Sequence, residues 1–94
     1  MQVVTRKVPG GKLVRLKGRV EGKKVYGVQL SGDFFLAPPE KIEALEQALE
    51  GFAVNDPEAV KEVLAYVLER DNITIEGFSV QDIAELLEEL GEAT

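Results

Sequence analysis

Few side chains in this sequence can do covalent or acid–base chemistry. The 94 residues include no Cys, no His and no Trp. Thiol and imidazole nucleophiles, imidazole bases and the usual zinc, copper and iron ligands are therefore missing, and only carboxylates remain for proton transfer or metal binding. Those carboxylates are not grouped for either task. The acids of AELLEELGE (84–92) fall on the outer side of a helical pattern, where water solvates them. Asp33 and Asp71 stand at turns, and a local hydrogen bond to the turn is the expected use of Asp33. PGGK (9–12) puts Lys12 behind a glycine turn, but no Ser or Thr follows the lysine and no glycine precedes it at P-loop spacing. What is left there is a minimal anion site, a few backbone amides beside one cation. No GxGxxG and no calcium-type Asp loop occurs. An enzyme working alone would need a carboxylate-only site, and none is visible.

Charge is the second chemical feature. Residues 1–24 carry eight cations (Arg6, Lys7, Lys12, Arg15, Lys17, Arg19, Lys23, Lys24) against Glu21 alone. The rest of the chain carries Lys41, Lys61 and Arg70 against sixteen acids, so the net charge of −6 divides into about +7 and −13. A basic edge on an acidic body can steer an anionic ligand or an acidic partner. It can equally draw the two ends of the chain together, or be a solvated face. Nucleic acid fits poorly. Aromatic content is 6%, the pI is near 4.6, and no RNP-type aromatic pair is present.

These side chains need elements to position them. KLVRLKGRVE (12–21) alternates, with Val14, Leu16 and Val20 on one face and Arg15, Lys17 and Arg19 on the other. KVYGVQLS (24–31) alternates likewise, grouping Tyr26, Val28 and Leu30, and Gly22-Lys23 between the two runs predicts a tight hairpin. QVVTRKV (2–8) can add a strand. DFFL (33–36) either extends the second hairpin strand or starts a short one, and ITIEGF (73–78) is short and extended. Three helices follow from apolar spacing and end signals. The first starts at Pro39, carries Ile42, Leu45 and Leu49, and is closed by Gly51. The second starts at Asp56-Pro57, carries Val60, Val63, Leu64, Val67 and Leu68, and ends at Asp71-Asn72. The third starts at Ser79 with Asp82 at the capping-box position, carries Val80, Ile83, Leu86, Leu87 and Leu90, and is closed by Gly91. Each helix has one apolar stripe. The expected architecture is α+β, a small antiparallel sheet of about three strands with three helices packed on one face, over a single domain, 1–94. The longest apolar runs are only a few residues and the N-terminus has no apolar signal segment, so no membrane association and a cytoplasmic location are expected.

SGDFFL (31–36) sets a parity problem. Carried through Gly32, the alternation sends Phe34 and Leu36 to the core and Phe35 to the opposite face, unless Gly32 marks a bulge that reverses it. Burying one Phe is worth about 1.5–3 kcal/mol, so an outward Phe35 implies a cover, either the N-terminal segment or a partner.

PGGKLVRL (9–16), VQLSGDFFLAPPEKIEALEQALEG (28–51) and IEGFSVQDIAELL (75–87), in that order, resemble the C-terminal, accessory domain of lipoate–protein ligases. The most specific part is Gly32, Asp33, Phe34 and Phe35, then Pro38 or Pro39, then a helix ending in Leu49-x-Gly51. In that family a large catalytic domain binds ATP and lipoate, forms lipoyl-adenylate and transfers lipoyl to a lysine of a lipoyl domain. The small domain is fused to it or separately encoded. The sequence starts at Met1 and lacks the large domain with its adenylate-contacting lysine region, so the resemblance implies the separate, non-catalytic subunit. It implies a heterodimer with the catalytic subunit, and indirectly the lipoyl domains of 2-oxoacid dehydrogenases or glycine cleavage H protein. ATP, Mg and lipoate would be held in the complex, and none by this chain alone. Gly32, Phe34, Leu49 and Gly51 are read as fold-holding. From charge and parity, Lys12, Arg15 and Lys17 are candidates for facing the partner or the ATP phosphates, and Phe35 for an interface anchor. The competing reading is a generic scaffold or adaptor of related fold. An iron–sulfur scaffold is disfavoured by the missing Cys and His.

Overall fold

The structure, a computed structural model, describes residues 1–8, 10 and 12–93. Pro9 and Gly11 of the PGGK turn lie outside the described residues. Strands β1 (Gln2–Lys7), β2 (Leu13–Glu21) and β3 (Lys24–Gly32) form an antiparallel sheet in the order β1-β2-β3. A short strand β4 (Phe35–Ala37) pairs antiparallel with β5 (Thr74–Glu76) in a separate ribbon. Helices α1 (Ile42–Leu49, after a 3-10 turn at Pro39–Lys41), α2 (Pro57–Arg70) and α3 (Val80–Glu92) complete the chain. This is the expected α+β class. α3 lies on β1 and β2, α1 lies on β3, and α2 packs against both helices. No helix among the described residues is long and apolar enough to cross a membrane.

Val14 and Leu16 are fully buried toward the helices, as their alternation predicts. At the hairpin, Gly22 and Lys23 both have positive φ, +57° and +64°, which suits a two-residue turn. The pattern breaks in β3. Lys17 pairs with Gln29, but Arg19 pairs with Tyr26, so Gly18 faces two residues, Gly27 and Val28. Gly27, at φ +66°, supplies the bulge conformation. Parity therefore reverses there. Val25, not Tyr26, joins Val28 and Leu30 in the core, and Tyr26 turns outward opposite Arg19. Gly18 makes room for this exchange, since a Cβ there would sit 2.7 Å from Val25 Cγ2.

The helix ends also separate expectation from outcome. Asp56 caps α2, accepting from the Ala59 N–H at 3.2 Å, with Pro57 in the first turn. Ser79 and Asp82 form the full capping box of α3. Gly51, at φ +74°, follows α1, but its N–H donates to the Val25 carbonyl at 2.6 Å, so it ties the helix end to β3. Gly91 does not close α3, which runs on to Glu92. It is small for packing: a Cβ there would lie 2.6 Å from Val54 Cγ2.

The two sheet edges are treated differently. On the β3 edge, Glu46 of α1 accepts the Leu30 N–H at 2.8 Å, and Glu50 accepts the Gly27 and Val28 N–H groups at 2.7 and 3.3 Å. Farther along, Val25 donates to the Phe52 carbonyl at 3.0 Å and Val54 to the Lys23 carbonyl at 2.9 Å. Carboxylates and backbone thus consume that edge.

Arg6, on the helix side of β1, joins the basic and acidic parts of the chain by pairing with Glu85 and Glu89 of α3. Hydrogen bonds from Gln81 and from Arg6 hold the Glu85 carboxyl below the usual carboxylate range. A carboxyl depressed on folding stabilises fully above its unfolded pKa, near 4.3, and loses that contribution as pH falls through the lower folded value. Arg6→Ala is therefore expected to lower the melting temperature by roughly 4 °C at pH 7. Its curve should converge with the wild type's in acid, below the folded Glu85 pKa. Thermal melts across that range check both parts, and a gap that persists at pH 2 would assign the effect to packing of the Arg6 stem.

Candidate functional site

The Gly32–Phe35 motif sits where the sheet meets the β4–β5 ribbon. Gly32 pairs with Val14 at φ +143°, and the Asp33 N–H donates to the Leu13 carbonyl at 2.8 Å. The local bond at this turn is thus made by the amide. The Asp33 carboxylate is exposed and makes no hydrogen bond among the described residues, against expectation. Phe34 is half-buried and meets Phe78 edge-on, with centroids 4.8 Å apart and planes at 87°. Gly77 lies beneath this pair, and a Cβ there would come within 3.0 Å of Phe34 Cβ and 3.2 Å of Lys12 Cγ. The stem of Lys12 therefore crosses the same corner. Leu49 is fully buried and Leu36 nearly so.

Phe35 points outward, 57% exposed, from a position opposite Glu76. The predicted parity holds through Gly32. The N-terminal segment does not cover the ring among the described residues, since β1 is spent on pairing with β2.

Arg15 and Lys17 project from the sheet face away from the helices, because Val14 and Leu16 between them point inward. Their cross-strand neighbours are Thr5 and Ser31 for Arg15, and Val3 and Gln29 for Lys17. Arg15, Thr5, Ser31, Val3 and Gln29 are all exposed, so this face is open. Arg19 is committed elsewhere, paired with Glu21 at 2.5 Å and stacked over the Tyr26 ring at 5.5 Å. With Arg6 turned to α3, the other six N-terminal cations (Lys7, Lys12, Arg15, Lys17, Lys23, Lys24) make no ion pair among the described residues. Among the described residues, the ion pairs between the basic and acidic parts of the chain are those of Arg6. The remaining cations leave one face of the sheet basic and uncovered.

The family model for the bacterial lipoate protein ligase C-terminus matches residues 3–87 of this chain. The chain belongs to that family. The match spans the Gly32–Phe35 motif, Leu49, Gly51 and the candidate cations Lys12, Arg15 and Lys17. Among solved structures, a chain from Thermoplasma acidophilum is similar, with a TM-score of 0.72, 21% identity, and coverage of 92% of this chain and 94% of that one. It comes from a structural analysis of an archaeal lipoylation system, a bi-partite lipoate protein ligase and its E2 lipoyl domain. No curated protein matches the chain.

In this lipoate–protein ligase C-terminal domain, Lys12, Arg15 and Phe35 are exposed and Lys17 is partly so. No group of three or more acids that could hold a metal ion occurs among the described residues. Lys12 and Phe35 flank the motif corner, while Arg15 and Lys17 lie along the open sheet face. Tyr66 of α2, outside the residues singled out from charge and motif, is 62% exposed beneath the Arg70 guanidinium at 5.6 Å. Its one signal in the sequence is that it falls outside the Val60, Leu64, Val67 stripe.

Proposed function

We propose that this chain is the non-catalytic subunit of a two-chain lipoate–protein ligase, needed with the catalytic subunit for ATP-dependent activation of lipoate to lipoyl-AMP. The observation that carries the reading is the match to the lipoate–protein ligase C-terminal family over residues 3–87, together with an open basic sheet face whose cations make no ion pair among the described residues. Its fold likeness to a chain of a bi-partite ligase, over nearly the full length of both, supports it.

Adenylation joins two anions. A lipoate carboxylate oxygen bonds to the α-phosphorus of ATP, and the bond from that phosphorus to pyrophosphate breaks. A closed, positively charged, water-excluding site favours this step. A small subunit that docks over the catalytic chain can complete such a site and then move to admit the lipoyl domain that receives the lipoyl group. In this role Lys12, Arg15 and Lys17 face the partner or the phosphates, and Phe35 anchors the contact. The magnesium ion would be held by the phosphates and the catalytic chain. We place the complex in the cytoplasm.

The test is pyrophosphate release from ATP and lipoate, measured with the matching catalytic chain alone, this chain alone, and both together. Release is expected only from the pair. Equal release by the catalytic chain alone would overturn the reading and leave an adaptor role in its place.

A further inference from the structure

One edge of the sheet is consumed and the other is not. Leu30 gives its N–H to Glu46, away from β2, so Leu16 and Leu30 are a non-hydrogen-bonded pair and β2 bonds β3 through Arg15 and Lys17. By the same alternation, β2 bonds β1 through Val14, Leu16 and Gly18, which takes up the backbone of Arg6, Val4 and Gln2. The N–H and C=O groups of Val3, Thr5 and Lys7 therefore point out of the sheet along β1. No hydrogen bond to them occurs among the described residues. Among the described residues, nothing on this edge corresponds to Glu46, Glu50 or residues 51–54 on the other.

We infer that the free edge of β1 takes an extended, acid-bearing segment of the catalytic subunit as a fourth strand. Strand addition draws affinity from main-chain hydrogen bonds and specificity from alternate side chains. Here those side chains are stated by the outer row of the sheet. Val3, half-exposed at 50%, offers apolar contact at one end of the edge. Lys7 stands at the other end, with Arg15 and Lys17 in the next strand, all without an ion-pair partner among the described residues. An acidic alternation on the incoming strand complements this row. A second copy of this chain does not, because it would bring two basic sheets edge to edge. This inference rests on the two-chain reading above and names how the subunits join.

Proline on an edge strand is tolerated where its missing N–H would have faced outward. Thr5→Pro thus removes the central outward donor while leaving the bonds between β1 and β2. The experiment measures affinity for the matching catalytic chain, pyrophosphate release, and amide hydrogen exchange of Val3, Thr5 and Lys7 in the free chain and in the complex. Thr5→Pro is expected to weaken binding at least tenfold, whereas Thr5→Ala, which keeps the N–H, stays within about threefold. Lys7→Glu with Arg15→Glu should weaken it as well. The three amides should exchange more slowly in the wild-type complex, a result that decides the matter even if Thr5→Pro fails to fold. Wild-type affinity of a folded Thr5→Pro chain, with stimulation intact and those amides unprotected, overturns edge docking and leaves the two-chain reading standing. Self-association of the wild type that Thr5→Pro abolishes would assign the edge to a second copy. A wild-type chain that neither binds nor stimulates the catalytic chain removes both readings together.

Discussion

Gly32→Ala is expected to cost about 3–5 kcal/mol of folding stability. Two effects add. At φ +143° the residue occupies a conformation that side-chain-bearing residues rarely adopt. A Cβ built there also runs into the Leu13 carbonyl oxygen and comes within 3.0 Å of Val14 Cα. Both obstacles are backbone atoms of the central strand, held by pairing on two sides, so neither can swing away as a side-chain tip would. Retreat of that carbonyl would also break its hydrogen bond from the Asp33 N–H. A domain of this size has about 5–15 kcal/mol in total, so a large share should disappear. Urea unfolding followed by far-ultraviolet circular dichroism measures it, with a lower midpoint and an unchanged slope expected. A variant within 1 kcal/mol of wild type would mean that the turn relaxes freely and that Gly32 is not needed for this geometry.

Phe35→Ala separates binding from folding. The ring is exposed and stands outside the core cluster, so its loss should leave the melting temperature within about 1 °C of wild type. In the proposed complex the same truncation should weaken affinity for the catalytic chain roughly thirtyfold, about 2 kcal/mol, the scale of a central aromatic anchor. Phe34→Ala is the contrast. It removes the edge-on contact with Phe78 and the cover over Gly77, and should destabilise the free chain by about 3 kcal/mol. Calorimetric titration of both variants against the catalytic chain, alongside their melting curves, tests the division of labour between adjacent phenylalanines. Unchanged affinity for Phe35→Ala would move the anchor elsewhere.

Which parts of this were legible in the sequence follows from how local the determining physics is. The hairpin at Gly22-Lys23, the helix starts at Asp56 and Ser79, and the split between Phe34 and Phe35 depend on neighbouring residues and were readable. The parity of β3 was not. It turns on Gly18 admitting Val25 from across the strand, and a period-two reading counts straight through the bulge at Gly27. Gly91 departs from expectation for a related reason. It follows a helical stripe as a cap would, yet it lies inside α3 and answers to Val54, distant in sequence, whereas Gly51 does close α1 at φ +74° and its amide additionally binds the Val25 carbonyl. At the candidate site, charge and alternation were enough to place Arg15 and Lys17 on one face. The nearness of Lys12 to the Phe34 corner was not available, because it depends on Gly77 folding back from more than sixty positions downstream.

The unequal edges of the sheet also bear on how many molecules can join. A sheet open on both sides can pass strand pairing from molecule to molecule and grow into a filament. Here Glu46, Glu50 and the segment after α1 occupy one side, so strand pairing gained at β1 cannot be passed on through this molecule's far edge. The carboxylates that block this relay come from α1 and its C-terminal cap, far in sequence from the edge they leave open.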